Sequence, residues 1–146
     1  MSRYIVILLL LGTFVDLSAQ EWEFDYNKAL LKAKKENKTL ILVFQGSDWC
    51  SNCIKLEHNI LNSDTFKKYA NDKLVLLKVD FPRRKKNQLS EVQQQHNNKL
   101  AEKYNAEGYF PLLVMLDDEG TVKEKLGNEN VSPQAYVEKI KHMINH

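Results

Sequence analysis

Cys50 and Cys53 are the only cysteines in this 146-residue chain, and they stand at C-x-x-C spacing. An apolar run, Leu40-Ile41-Leu42-Val43-Phe44, leads toward them, and a helix-like segment from Ile54 to Leu61 leads away. A strand that delivers two thiols to the first turn of a helix suits disulfide chemistry. The start of a helix carries unpaired N–H groups and a partial positive charge. That field favours thiolate over thiol, and the thiolate is the attacking species. The outward cysteine of such a pair is usually the first, so Cys50 is the expected nucleophile, and Cys53, one turn further in, is expected to resolve the mixed disulfide. Two other readings stand beside this one. The first is a metal site: zinc normally wants four ligands and only two thiolates exist, whereas copper(I) would need His58, eight residues beyond Cys50, to join them. His96, His142 and His146 offer no ligand-like spacing. The second is an inert pair.

The surrounding elements must position those thiols. Thr39 to Gln45 is apolar on consecutive positions, as a strand covered on both faces should be, and Leu74 to Asp80 repeats the pattern. Gly46 implies a tight bend or a close backbone approach just before the pair. Asp25 is placed to cap a helix from Tyr26 to Glu36, with Tyr26, Ala29, Leu30 and Ala33 on its inner face. Lys28, Lys32, Lys34 and Lys35 then form a solvated face. After Cys50 the core candidates are Ile54, Leu56, Ile60 and Leu61. Ser63 is expected to cap a helix from Asp64 to Ala70, with Phe66 and Tyr69 inward. Leu89 to Tyr104 reads as a helix with an inner stripe of Leu89, Val92, His96, Leu100 and Tyr104, which sends the polar run Gln93 to Asn98 to the surface. Leu112 to Leu116 and Thr121 to Leu126 form a hairpin around Asp117-Asp118-Glu119-Gly120. Ser132-Pro133 starts a last helix that runs to about Ile144 and buries Tyr136, Val137, Ile140 and Met143 or Ile144. Glu21 to Phe24 is a candidate edge strand. Strands joined through helices run parallel. The expected fold is a three-layer α/β/α sandwich around a mixed sheet of four or five strands.

Length fits one domain with a proper core. Apolar content of 43%, charged content of 27% and a net charge of +2 are ordinary for a globular chain and argue against a nucleic-acid partner. Residues 1–19 read as a secretory signal peptide: Arg3 gives a positive start, Ile5 to Leu11 is continuously apolar, and Leu17-Ser18-Ala19 offers a small residue before Gln20. The apolar run is about 11 residues, short of the roughly 20 a spanning helix needs. The expected mature domain is 20–146, without a membrane span, secreted or periplasmic, and a monomer by default. Arg83-Arg84-Lys85-Lys86 has two readings, a solvated loop or a dock for an acidic partner, of which the first is favoured.

Trp49-Cys50-Ser51-Asn52-Cys53 after an apolar strand resembles the thioredoxin superfamily. Tyr109-Phe110-Pro111-Leu112-Leu113-Val114 is similar to that family's cis-proline and following strand. The opening from Trp22 to Lys38 and the segment Val79-Asp80-Phe81-Pro82 look like the exported thioredoxin-like proteins related to the C-terminal domain of the DsbD electron transporter. The resemblance implies a thioredoxin fold, a redox-active Cys50–Cys53 disulfide and no metal or organic cofactor. It implies that Trp49 shields the disulfide, that Pro111 is cis, and that the backbone of Phe110 pairs with a substrate strand. The partners implied are protein disulfides and an electron donor in the membrane. Two departures matter. Phe44 and Leu76 stand where many thioredoxins carry a buried acid and its lysine, so proton transfer falls to water, Asp48 or Glu57. Ser51-Asn52 puts no cation between the cysteines, and Asp48 opposes the thiolate; both point to a reductase rather than a strong oxidase. The alternatives are a binding or chaperone-like module using the Phe110-Pro111 groove, and a copper-handling protein using Cys50, Cys53 and His58.

Overall fold

The computed structural model describes residues 19–146; the expected signal peptide lies outside them, Ala19 apart. Five strands form one sheet in the order β1-β3-β2-β4-β5. They are β1 (Trp22–Glu23), β2 (Thr39–Gln45), β3 (Leu74–Asp80), β4 (Leu112–Leu116) and β5 (Val122–Leu126). β3 pairs parallel with both β1 and β2, while β4 runs antiparallel to β2 and β5. The α-helices are α1 (Tyr26–Glu36), α2 (Ser51–Leu56), α3 (Asp64–Lys73), α4 (Glu91–Tyr104) and α5 (Pro133–Asn145). α2 runs on into a π-helical turn, Glu57–Leu61. This is the thioredoxin α/β fold.

Alternation along the strands separates two cores. Ile41, Val43, Leu74, Leu76, Leu113 and Met115 pack with Leu56, Ile60, Phe66, Tyr136 and Ile140 on the side of α3 and α5. Leu40, Leu42, Phe44, Val75, Leu77 and Val114 pack with Ala29, Ala33, Leu100 and Tyr104 on the side of α1 and α4. Because side chains on a strand alternate, the continuous apolar runs of β2 and β3 feed both cores at once. The caps are those that the residue types dictate: Asp25, Ser63, Ser90 and Ser132 each accept a backbone N–H of the first turn that follows.

Three expectations fail locally. Ile54 is not a core residue; it is 48% exposed, because α2 buries Cys53 and Leu56 instead. α4 starts at Glu91, after the Ser90 cap, rather than at Leu89. Its inner stripe is also differently phased: Val92 is 79% exposed, whereas Asn97, in the run assigned to the surface, is 1% exposed. Asn97 Nδ2 donates to the Asp80 carbonyl at 2.9 Å, Gln93 Nε2 donates to the Phe24 carbonyl at 3.0 Å, and the Tyr26 N–H donates to His96 Nε2 at 3.0 Å. Buried backbone groups need partners, so this helix turns amides and an imidazole inward to serve strand and loop ends.

Candidate active site

β2 ends at Gln45, and the Trp49 and Cys50 N–H groups bond back to the Gly46 carbonyl, at 3.3 and 2.9 Å, to form a tight turn. That turn makes Cys50 the N-cap of α2. Its sulfur accepts the Cys53 N–H at 3.2 Å, and the two residues are joined by a disulfide across a Cα–Cα distance of 5.2 Å. Both cysteines are buried. An N–H aimed at Cys50 Sγ is the local feature that favours negative charge there.

Trp49, the residue before Cys50, sits in a close-fitting seat. Its ring covers Gly46 so closely that a methyl group at that position would overlap the indole; the close approach expected at Gly46 is to this side chain. Trp49 Nε1 donates to the Phe81 carbonyl at 2.7 Å. The Phe110 ring meets Trp49 edge-on at 5.6 Å between centroids and meets Phe81 in the same way, also at 5.6 Å. The Arg83 guanidinium lies 3.7 Å from the indole centroid. The Phe110-Pro111 peptide bond is cis. The segment before it is braced by Asn105, a buried side chain that donates to the Tyr109 carbonyl at 2.8 Å and accepts the Tyr109 N–H at 3.0 Å.

Two aspartates fasten the redox loop to the loop that follows β3. Asp80 accepts the Ser47 N–H at 2.9 Å, the Ser47 hydroxyl at 2.6 Å and the Phe81 N–H at 2.9 Å. Asp48 accepts the N–H groups of Arg83 and Arg84, both at 2.9 Å, and the Asn87 amide at 3.0 Å. The Arg83 N–H, then Asn87 and Arg84, hold the Asp48 carboxyl down at about 2. Asp48 is therefore a carboxylate already engaged by three donors, a weak proton acceptor whose charge is turned toward the loop after β3. Glu57, one turn beyond Cys53, pairs with Lys78 Nζ at 3.3 Å. Phe44 is wholly buried in the core beside α1 and α4, so no acid occupies the place of the thioredoxin one.

Cys50, Trp49, Phe110 and cis-Pro111 are thus linked at one end of the sheet. His58 is not brought in: its Nδ1 lies 2.8 Å from Asn59 Oδ1, and among the described residues no group of three or more His, Cys, Asp or Glu side chains is placed to hold a metal ion. Asp80, Phe81, Arg83 and Asn105 brace the site through specific contacts that the sequence does not assign to them. Asp80 ends β3 and Phe81 and Arg83 follow it, and the sequence marked them only through the Val79-Asp80-Phe81-Pro82 likeness and the basic run that begins at Arg83. Among the described residues no helix is long and apolar enough to cross a membrane.

A C-x-x-C disulfide capping a helix, on this sheet, defines a thiol–disulfide oxidoreductase. The chain belongs to the thioredoxin-like family, whose sequence profile matches residues 21–118. It is 42% identical over 124 residues to the disulfide bond reductase DsbH of Chlamydia pneumoniae, covering 85% of this chain and 72% of that protein. The solved structure of a DsbH oxidoreductase superposes with a TM-score of 0.80 at 39% identity, covering 88% of this chain and 86% of that one. The oxidised C-terminal domain of Neisseria meningitidis DsbD shares the fold, with a TM-score of 0.57 at 17% identity over 80% of this chain and 90% of that domain.

Proposed function

We propose that this chain reduces protein disulfides outside the cytosol, with Cys50 as nucleophile and Cys53 as resolving thiol. The observation that carries the reading is Cys50 Sγ at the head of α2, accepting the Cys53 N–H, with the Phe110-Pro111 loop packed against its neighbour Trp49. The reducing direction is supported by the relative DsbH, which is named a disulfide bond reductase. It is also supported by the absence of a cation between the cysteines, where Ser51 and Asn52 stand.

In the reduced enzyme the Cys50 thiolate attacks one sulfur of a substrate disulfide. That S–S bond breaks, a Cys50–substrate disulfide forms, and the departing substrate thiolate takes up a proton. Cys53, losing its proton, attacks Cys50 Sγ and releases the second substrate thiolate. Two electrons have then passed to the substrate, and the enzyme holds the Cys50–Cys53 disulfide. Glu57 remains the carboxylate on this helix able to take the Cys53 proton, directly or through water. The extended chain of the substrate lies along the Phe110 backbone beside Pro111, and Trp49 covers the sulfurs. A dithiol donor restores the pair; the apolar leader at residues 1–19 supports export, and so a donor at or in the membrane.

The test is the equilibrium potential of the pair in graded thiol buffers, with the free thiols trapped and counted. A value near the roughly −270 mV of thioredoxin is expected, and one near about −120 mV would make the protein an oxidase. Cys53→Ala should accumulate a mixed disulfide through Cys50. If it accumulates none while Cys50→Ala still binds unfolded chains at full strength, the protein is a binding module.

A further inference from the structure

The turn Arg83-Arg84-Lys85-Lys86 is not a free solvated loop. Three bonds to Asp48 and the stacking of Arg83 on Trp49 fix it beside the redox pair. A 3₁₀ turn, Lys85–Asn87, stiffens its far side. All four cationic residues are exposed, and among the described residues none of them forms an ion pair. The carboxylates of Asp48 and Asp80 are occupied by backbone N–H groups and neighbouring side chains. The result is a held turn carrying more positive than negative charge, with Arg83 against the side chain of Trp49, the residue before Cys50. The same indole meets the Phe110 ring edge-on.

We propose that Arg84, Lys85 and Lys86 form a docking rim for acidic side chains that flank the cysteine of a protein disulfide substrate. The proposal rests on the reductase reading above. A chain lying along Phe110 and over Cys50 continues across Trp49 toward this rim. Carboxylates on that continuation meet cations already held in place, so little ordering is needed on binding. Fixed charge of one sign around a site raises the encounter rate with partners of the other sign, and salt suppresses the gain.

The experiment uses pre-reduced protein in single turnover with two synthetic peptides. They carry the same disulfide, flanked by Asp and Glu in one and by Asn and Gln in the other. At low salt the acidic peptide is expected to be reduced about tenfold faster. At 1 M salt, where the screening length is about 3 Å, the ratio should approach one. R84Q/K85Q/K86Q should bring the low-salt ratio below about two. K28Q/K34Q/K35Q, which removes the same charge from the exposed face of α1, should preserve the ratio. Equal rates for the two peptides with wild type, an undiminished ratio in the rim variant, or the same loss in both variants would each overturn the proposal. Reduction of neither peptide would sink the reductase reading itself, and the docking rim with it.

Discussion

Asp48 stands two residues before Cys50, yet its carboxylate faces the loop after β3. Its depressed acidity has a direct consequence for stability. An acid whose folded value, about 2, lies below the unfolded one near 3.9 contributes stability that is complete above pH 4 and is lost as pH falls toward 2. Asp48→Asn should therefore cost stability at neutral pH. The gap between wild type and variant should close between pH 4 and 2, as read by urea unfolding at each pH; a gap that widens on acidification would contradict this account. Gly46→Ala tests the indole seat. Alanine ordinarily gains about 0.4–1 kcal/mol over glycine where the backbone allows it, but overpacking costs about 1–3 kcal/mol, and here the added methyl overlaps Trp49. A net loss in the urea midpoint is expected; an unchanged or higher midpoint would mean that the ring moves aside freely. The cysteines were legible in the sequence because their type and spacing carry the chemistry. The Asp48 bonds to the Arg83 and Arg84 N–H groups were not, because every residue except proline has such a group, and the two segments lie 35 and 36 positions apart.

Elements were legible where apolar runs and caps agree. β2 and β3 read as strands because both faces are covered, and Ser132-Pro133 marked the start of α5 at its cap. α4 was misphased for a physical reason: periodicity arguments assume that apolar residues define the inner face, and this helix is buried in part by polar ones. A pair of substitutions checks the phase. Asn97→Ala leaves the Asp80 carbonyl without its side-chain donor and should cost about 1–3 kcal/mol. Val92→Ala, at an exposed position, should fall within about 0.5 kcal/mol of wild type. Denaturant midpoints of the two variants decide, and the reverse ranking would restore the original stripe. The π-helical turn at Glu57–Leu61 was not legible, because the apolar Ile60 and Leu61 it buries read equally well as the inner face of a continued α-helix.

Across the whole molecule, the shifted groups leave a broad plateau. Asp48 and Glu36 are more acidic than usual, Asp48 through backbone N–H groups and Glu36 through its bond with Lys38. Burial, then the hydroxyl of Tyr104 at 2.9 Å, pushes Tyr26 up to about 12, and burial raises Tyr136 and Tyr69 as well. A tyrosine whose folded value lies above 10 contributes stability that is complete below pH 10 and is lost as pH rises toward the folded value. Urea midpoints should hold from about pH 4 to 10 and decline on both sides, and Tyr26→Phe should soften the alkaline decline. An alkaline limb identical in the variant would remove Tyr26 from the account. The α/β/α architecture itself was readable from the order of the elements, because two parallel strands joined through helices leave few alternatives. The two tryptophans have different neighbours. Trp22 lies on the edge strand beneath Lys78, with Nζ 4.6 Å from its ring centroid, whereas Trp49 touches Arg83 and Phe110 beside the disulfide. Reducing the disulfide or seating a peptide alters the surroundings of Trp49 directly, whereas Trp22 meets the site only through Lys78 and its partner Glu57. With Trp22 replaced by phenylalanine, the protein becomes its own fluorescent probe, its emission following thiol state and occupancy without a label.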